Sequence, residues 1–181
     1  MTRRHWGLGG VLLGTFSLAA WAQTQSPMPP PSLPSFTVSM IDAKGARVGE
    51  VRVTETPHGL LLHGALTGIP PGEHAIHVHE TGKCEPPFKT AGGHFNPGKK
   101  DHGALLASGV HAGDLPNVFA ASDGTLKFDL LSPALTLAPG PNSVFDADGS
   151  SIVLHAKADD YRSQPSGDSG DRIACGVLLR S

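Results

Sequence analysis

The chain has 181 residues, with 14 Lys+Arg against 16 Asp+Glu and a formal net charge of −2. That length allows one domain with a sizeable core. The near balance of charge, without any basic run, disfavours nucleic acid or an anionic membrane surface as a partner.

The N-terminus has the pattern of an export signal. Arg3 and Arg4 precede an apolar stretch from about Leu8 to Ala20, and Ala20-Trp21-Ala22 fits a small-x-small cleavage site. The stretch is shorter than the roughly 18 apolar residues that suggest a membrane span. Residues 1–22 therefore read as a signal peptide removed near Ala22. They carry two Arg and no acid, so the mature chain keeps 12 Lys+Arg against 16 Asp+Glu, a net charge of −4. Trp6 and Trp21 leave with the signal, which makes the mature core free of Trp. Residues 23–35 are rich in Pro, Gln and Ser and read as a flexible linker. The folded domain is expected over 36–181.

Alternating apolar and polar residues predict a strand from Phe36 to Ile41, and Asp42-Ala43-Lys44-Gly45 predicts a turn. A second strand runs from Val48 to Thr54, with Val51 and Val53 on one face and Glu50 and Arg52 on the other. Gly59 to Leu66 is a third, ended by Ile69-Pro70-Pro71-Gly72. Glu73 to Glu80 is a fourth. From Thr81 to Asn117 the periodicity dissolves into a long Gly- and Pro-containing segment, and loops of such length are usually functional. Strand patterns return at Val118–Ala120, Leu126–Leu131, Ser151–Ala156 and Ile173–Leu179. Many short strands with Gly/Pro turns, and no helical period of ten residues, argue for an antiparallel sandwich or barrel.

Seven side chains along this pattern have the chemistry of metal ligands: His77 and His79 in H-V-H, His94 in G-G-H-F-N-P, His102, His111, Asp114 in H-A-G-D, and His155. Imidazole suits copper and zinc, whereas calcium and magnesium prefer oxygen. His77 and His79, two apart on a strand, project from one face, while Ile76 and Val78 face a core. Four of the seven lie in the long loop. One copper and one zinc ask for about eight donor positions. Seven residues meet that number if one histidine uses both ring nitrogens. The two cysteines, Cys84 and Cys175, most simply form one disulfide in an oxidising compartment. The loop it closes is long enough for a stabilisation of roughly 4–5 kcal/mol.

H-A-I-H-V-H-E, A-G-G-H-F-N-P, H-A-G-D-L, H-A-K-A-D-D and D-R-I-A-C-G-V together resemble the copper/zinc superoxide dismutases, in order and spacing, from about Phe36 to Arg180. The signal peptide and the position of Cys84 make the exported bacterial branch the most similar. The resemblance implies an eight-stranded antiparallel Greek-key barrel or sandwich with long metal-binding and electrostatic loops. It implies copper at His77, His79, His94 and His155, and zinc at His94, His102, His111 and Asp114, with His94 as the shared ligand and proton donor. It makes Asp159 the carboxylate linking a copper ligand to a zinc ligand, and Arg172 the guide for superoxide. Cys84 and Cys175 correspond to the family disulfide. His74 corresponds to a structural histidine, and His58 and His63 match no motif.

The activity so implied is dismutation of superoxide to dioxygen and hydrogen peroxide by a copper ion that is alternately reduced and oxidised, protecting the cell envelope. The expected location is the periplasm, and the expected assembly is a monomer or a homodimer without nucleic-acid or membrane partners. A copper-buffering protein on the same scaffold is the competing reading. A missing ligand or arginine would favour it, and none is missing. Asp171, directly before Arg172, departs from the small residue usual there and is expected to weaken the pull on an anion if it faces the site.

Overall fold

The computed structural model describes residues 32–180. The expected signal peptide and most of the expected linker lie outside these residues. The strands are β1 (Ser35–Asp42), β2 (Arg47–Thr56), β3 (Gly59–Leu66), β4 (Gly72–His74), β5 (Ile76–His79), β6 (Val118–Ala120), β7 (Leu126–Ser132), β8 (Ser150–His155) and β9 (Arg172–Leu178). One turn of 3-10 helix, Lys89–Ala91, interrupts the long loop, and the described residues contain no α-helix. None of their helices is long and apolar enough to cross a membrane.

The strands form one antiparallel sheet in the order β4-β6-β7-β3-β2-β1-β9-β8-β5. The count is nine instead of the expected eight because the fourth expected strand is two. Before Ala75 the chain pairs with β6, and after it with β8. Ala75 itself donates to the Lys157 carbonyl and accepts from the His155 amide. The first and last strands of the sheet are thus consecutive pieces of one segment, and the sheet closes into a barrel through Ala75. The long loop covers the outer edge of β5 through Gly113 and Phe95, which shields an edge that would otherwise invite pairing with another chain.

Alternation decides which side chains enter the barrel. Val51 and Val53 are buried while Glu50 and Arg52 are exposed, as their positions in β2 predict. Ile76 and Val78 of β5 join Ile152 and Leu154 of β8 in the main core. The opposite face of β8 is also buried, as is Cys175 on that of β9. Val153 and Cys175 pack there against Phe88 and Ala91 of the long loop in a second, smaller cluster. All six residues of β8 are therefore buried, including its histidine. The Cys84–Cys175 disulfide ties this loop to β9, with the two Cα atoms 5.6 Å apart.

Candidate metal centre

The two outward-facing histidines of β5 anchor the site. The long loop returns beside β5, making bridge pairs between His77 and Asp114 and between His79 and His94. The approach is close: a Cβ at Gly113 would stand 2.2 Å from the Val78 carbonyl oxygen, so the Gly of H-A-G-D is required by packing. β8 contributes His155, whose cross-strand partner in β9 is Arg172.

These elements gather the predicted ligands into two groups of four. His77, His79, His94 and His155 form one, and His94, His102, His111 and Asp114 form the other. Within each group the ligand atoms lie within 4.8 Å of one another. His94 belongs to both.

Hydrogen bonds assign the tautomers of the outer rings. His77 donates from Nε2 to Asp159 Oδ2 at 3.0 Å, and His102 donates from Nε2 to Asp159 Oδ1 at 3.0 Å. His79 donates from Nδ1 to the Gly92 carbonyl at 3.0 Å. The opposite nitrogens, His77 Nδ1, His102 Nδ1 and His79 Nε2, then carry lone pairs that point inward. His79 Nε2 faces His155 Nε2 at 3.4 Å. On the other side, His94 Nδ1 is 2.7 Å from Asp114 Oδ1 and 3.4 Å from His111 Nδ1.

Such a convergence suits cations. Among the described residues, His77 Nδ1, His94 Nε2 and His102 Nδ1 are buried without a hydrogen-bond partner. His102 Nδ1 lies 3.0 Å from Asp114 Oδ2 but is not aligned for a hydrogen bond. Leaving buried polar atoms unpaired costs on the order of 1–3 kcal/mol each, and lone pairs facing one another repel. A cation in each group answers both. The donor sets fit the metals: four imidazoles suit copper, and three imidazoles with one carboxylate suit tetrahedral zinc.

Protonation states agree with this. Burial is the main cause that lowers His94 from 6.5 to about 4 and His155 to about 3. It also holds His79 well below its usual value. These rings are neutral at pH 7 and free to bind metal. Burial would raise the Asp114 carboxyl, but the hydrogen bond with His94 and the charges of His94, His102 and His111 outweigh it and hold the group well below the carboxylate range. At Asp159, burial is likewise outweighed by the His77, His102 and Tyr161 hydrogen bonds, so its carboxyl is also lowered.

His94, His111, His155, Lys99 and Arg172 line a cavity of about 590 Å³ that opens the site to solvent. Arg172 is half-buried and held by the Phe88 and Gly92 carbonyls, at 2.7 and 2.6 Å. Asp171 is exposed and lines a different cavity of about 790 Å³, together with Arg172, Lys44 and Lys89. The histidines expected to be non-ligands stand apart from both groups. His74 spends its ring nitrogens on the His155 and Pro70 carbonyls, His63 pairs with Asp129 on the surface, and His58 is exposed.

Three supporting residues escaped the sequence reading. Asn117 uses its amide to bond both backbone groups of Asp159. Gln164 does the same for His102. The Ser169 hydroxyl touches His155 Nδ1. Each sits in or beside a loop without a period, so no local pattern marked it.

A sequence profile of the family described as Copper/zinc superoxide dismutase (SODC) matches residues 47–178. Superoxide dismutase (Cu-Zn) 1 of Aquifex aeolicus is 44% identical over 177 residues, covering 96% of this chain and 98% of that protein. A superoxide dismutase (Cu-Zn) of Caulobacter vibrioides is 49% identical over 138 residues, covering 74% and 79%. Among solved structures, a SOD-like protein from Bacillus subtilis superposes with a TM-score of 0.76 at 37% identity, covering 79% of this chain and 97% of that one. Cu/Zn superoxide dismutase from Brucella abortus gives 0.66 at 31% identity, covering 80% and 99%. With the family profile matched over 47–178 and a relative 44% identical over 96% of its length, this barrel, whose seam collects two groups of four candidate ligands around one shared imidazole, belongs to the copper/zinc superoxide dismutase family.

Proposed function

We propose that this protein is an exported superoxide dismutase in which His77, His79, His94 and His155 hold copper and His94, His102, His111 and Asp114 hold zinc. The observation that carries this assignment is the position of His94. Its Nδ1 faces Asp114 and His111, while its Nε2 is buried on the other side without a partner. One ring thus serves both groups and supplies the eighth donor position.

Bound copper supplies a reversible one-electron couple, and bound zinc supplies a fixed charge without redox chemistry. The chain's own residues do the rest. Arg172 draws the superoxide anion into the cavity and orients it, a pull that falls with salt. His94 Nε2 holds a proton when its ring is not shared and delivers it to the departing product as general acid. Two superoxide anions and two protons leave as one dioxygen and one hydrogen peroxide. Asp159 bonds one ring of each group, fixing both tautomers and the spacing between the groups. The disulfide keeps the carbonyls that hold Arg172 close to β9.

The export signal at 1–22 and the disulfide support a periplasmic protein that protects the cell envelope. Superoxide is its partner as substrate. The mildly acidic mature chain suits neither nucleic acid nor an anionic membrane, and the working unit is a monomer or homodimer.

The test is to purify the exported protein, determine its N-terminal residue, count its metals and measure superoxide decay. About one copper and one zinc per chain, with fast decay that needs copper, is the expected result. Full loading without decay would reject the enzyme. His94→Ala should change the copper spectrum and uncouple the two ions, and an unchanged spectrum would reject the shared ligand.

A further inference from the structure

The remote nitrogens of the copper-group histidines on β5 meet fixed acceptors, Asp159 for His77 and the Gly92 carbonyl for His79. His155 differs. Its Nδ1 lies 3.1 Å from the Ser169 hydroxyl and 3.3 Å from the Gly170 carbonyl. The Gly170 carbonyl can only accept, so Nδ1 carries the proton and donates it, and Nε2, which faces His79, keeps its lone pair. Ser169 is fully buried. Its backbone is pinned on both sides, by the Lys157 amide at 2.9 Å and the Ser166 carbonyl at 3.3 Å. Gly167, Asp168 and Gly170 all have left-handed φ angles, of 68°, 50° and 75°. This sharp path sends Asp168 outward, toward Lys157, and Ser169 inward.

We propose that Ser169 is a positioning residue of the metal centre, whose hydroxyl accepts the His155 Nδ1 proton and biases the bound copper toward its oxidised state. The inference rests on the assignment of His155 as a copper ligand. A hydrogen bond accepted from a ligand's remote N–H fixes the ring and makes its other nitrogen a stronger donor. A stronger donor favours the more highly charged ion. Ser169 thus acts on the copper through His155 and touches neither metal nor substrate.

Losing such a partner typically weakens metal binding about 10- to 100-fold. The Gly170 carbonyl remains, so the smaller figure applies. Ser169→Ala should weaken copper(II) binding about tenfold and leave copper(I) binding within about twofold. A tenfold change in that ratio is a rise in potential of about 59 mV for a one-electron couple.

The experiment compares zinc-loaded wild type and Ser169→Ala by competition against copper(II) and copper(I) chelators, with zinc affinity and the urea midpoint measured alongside. The expected result is the tenfold shift in the copper ratio with zinc affinity and midpoint unchanged. If wild type binds both copper states and the variant's ratio stays within about twofold, this inference is overturned while the metal assignment stands. Equal losses for copper and zinc would make Ser169 a packing residue and also overturn it. Wild type that takes up no copper would overturn the assignment itself and the inference with it.

Discussion

Removing the Cys84–Cys175 cross-link should destabilise the fold and disturb Arg172 by separate routes. The bridge joins residues 91 apart in sequence. For a loop of that size the chain-entropy relation gives about 4.6 kcal/mol at 25 °C. Cys175 is fully buried against Phe88, Ala91 and Val153, so truncating its side chain adds about 1 kcal/mol of lost packing. The assay is urea unfolding of metal-free protein at pH 7, comparing oxidised wild type, reduced wild type and Cys84→Ala/Cys175→Ala. With a slope of roughly 2 kcal/mol per molar urea, the midpoint should fall by about 2 M on reduction and by slightly more in the double variant. A fall below about 0.5 M on reduction would refute the cross-link argument, because the packing is intact in that sample. The Arg172 route is read separately. The carbonyls of Phe88 and Gly92 that hold its guanidinium lie in the stretch that Cys84 anchors. The metal-loaded double variant should therefore dismutate superoxide more slowly and with a weaker dependence on salt. An unchanged rate and salt slope would show that β9 positions Arg172 without the bridge.

Three further outcomes follow from the geometry. Metal-free protein should lose stability as pH falls from about 6.5 toward 4: the unfolded His94 binds its proton near 6.5 and the folded one only near 4. The unfolded state therefore binds more protons in that window, a loss of about 3 kcal/mol for this group alone, and a Tm that does not change between pH 7 and 5 would contradict it. Gly167→Ala should cost roughly 2–4 kcal/mol and weaken zinc binding, since a Cβ there would stand 1.8 Å from Asp159 Oδ1 at a φ of +68°; a variant with wild-type urea midpoint and zinc affinity would refute the close approach. Asp171→Ser should raise the dismutation rate at low salt by less than about threefold and not at all at high salt, because Asp171 is exposed and lines the neighbouring cavity; a larger gain would place its charge in the path of the substrate.

What the sequence discloses here depends on periodicity. The two-residue spacing of His77 and His79 is enough to place both on one face of a strand, with Ile76 and Val78 in the core, because side chains of a strand must alternate. The same rule fails for β8, where every residue is buried. Its second face is covered by Phe88 and Ala91, which arrive from a loop that has no period. His155 is undistinguished within its apolar run until strand pairing sets it opposite Arg172. Asn117 and Gln164 are legible only in three dimensions, since each grips backbone 42 or 62 residues away. The split at Ala75 is invisible for a related reason. Both halves are strand, and only the change of partner from β6 to β8 separates them.

That split explains why the candidate ligands gather where they do. A closed barrel made from one sheet needs a seam, and here the seam is β5, the last strand in the sheet order. Its outer edge is covered by loop rather than by another strand: Val78 donates to the Gly113 carbonyl and accepts from the Phe95 amide, both at 2.8 Å. The covering loop is the one that carries His94, His102, His111 and Asp114. One four-ligand group draws His77 and His79 from the seam, His155 from the strand beside it and His94 from the cover, and the other lies wholly within the cover. His74 ties the corner next to Ala75 to β8 through the His155 carbonyl. Edge protection and metal binding would therefore share one contact: without ions, the loop is held to β5 by backbone bonds and by the His79 bond to Gly92, against rings whose lone pairs oppose one another. Cations held by the two groups would turn that opposition into attraction and fasten the loop over the edge of β5.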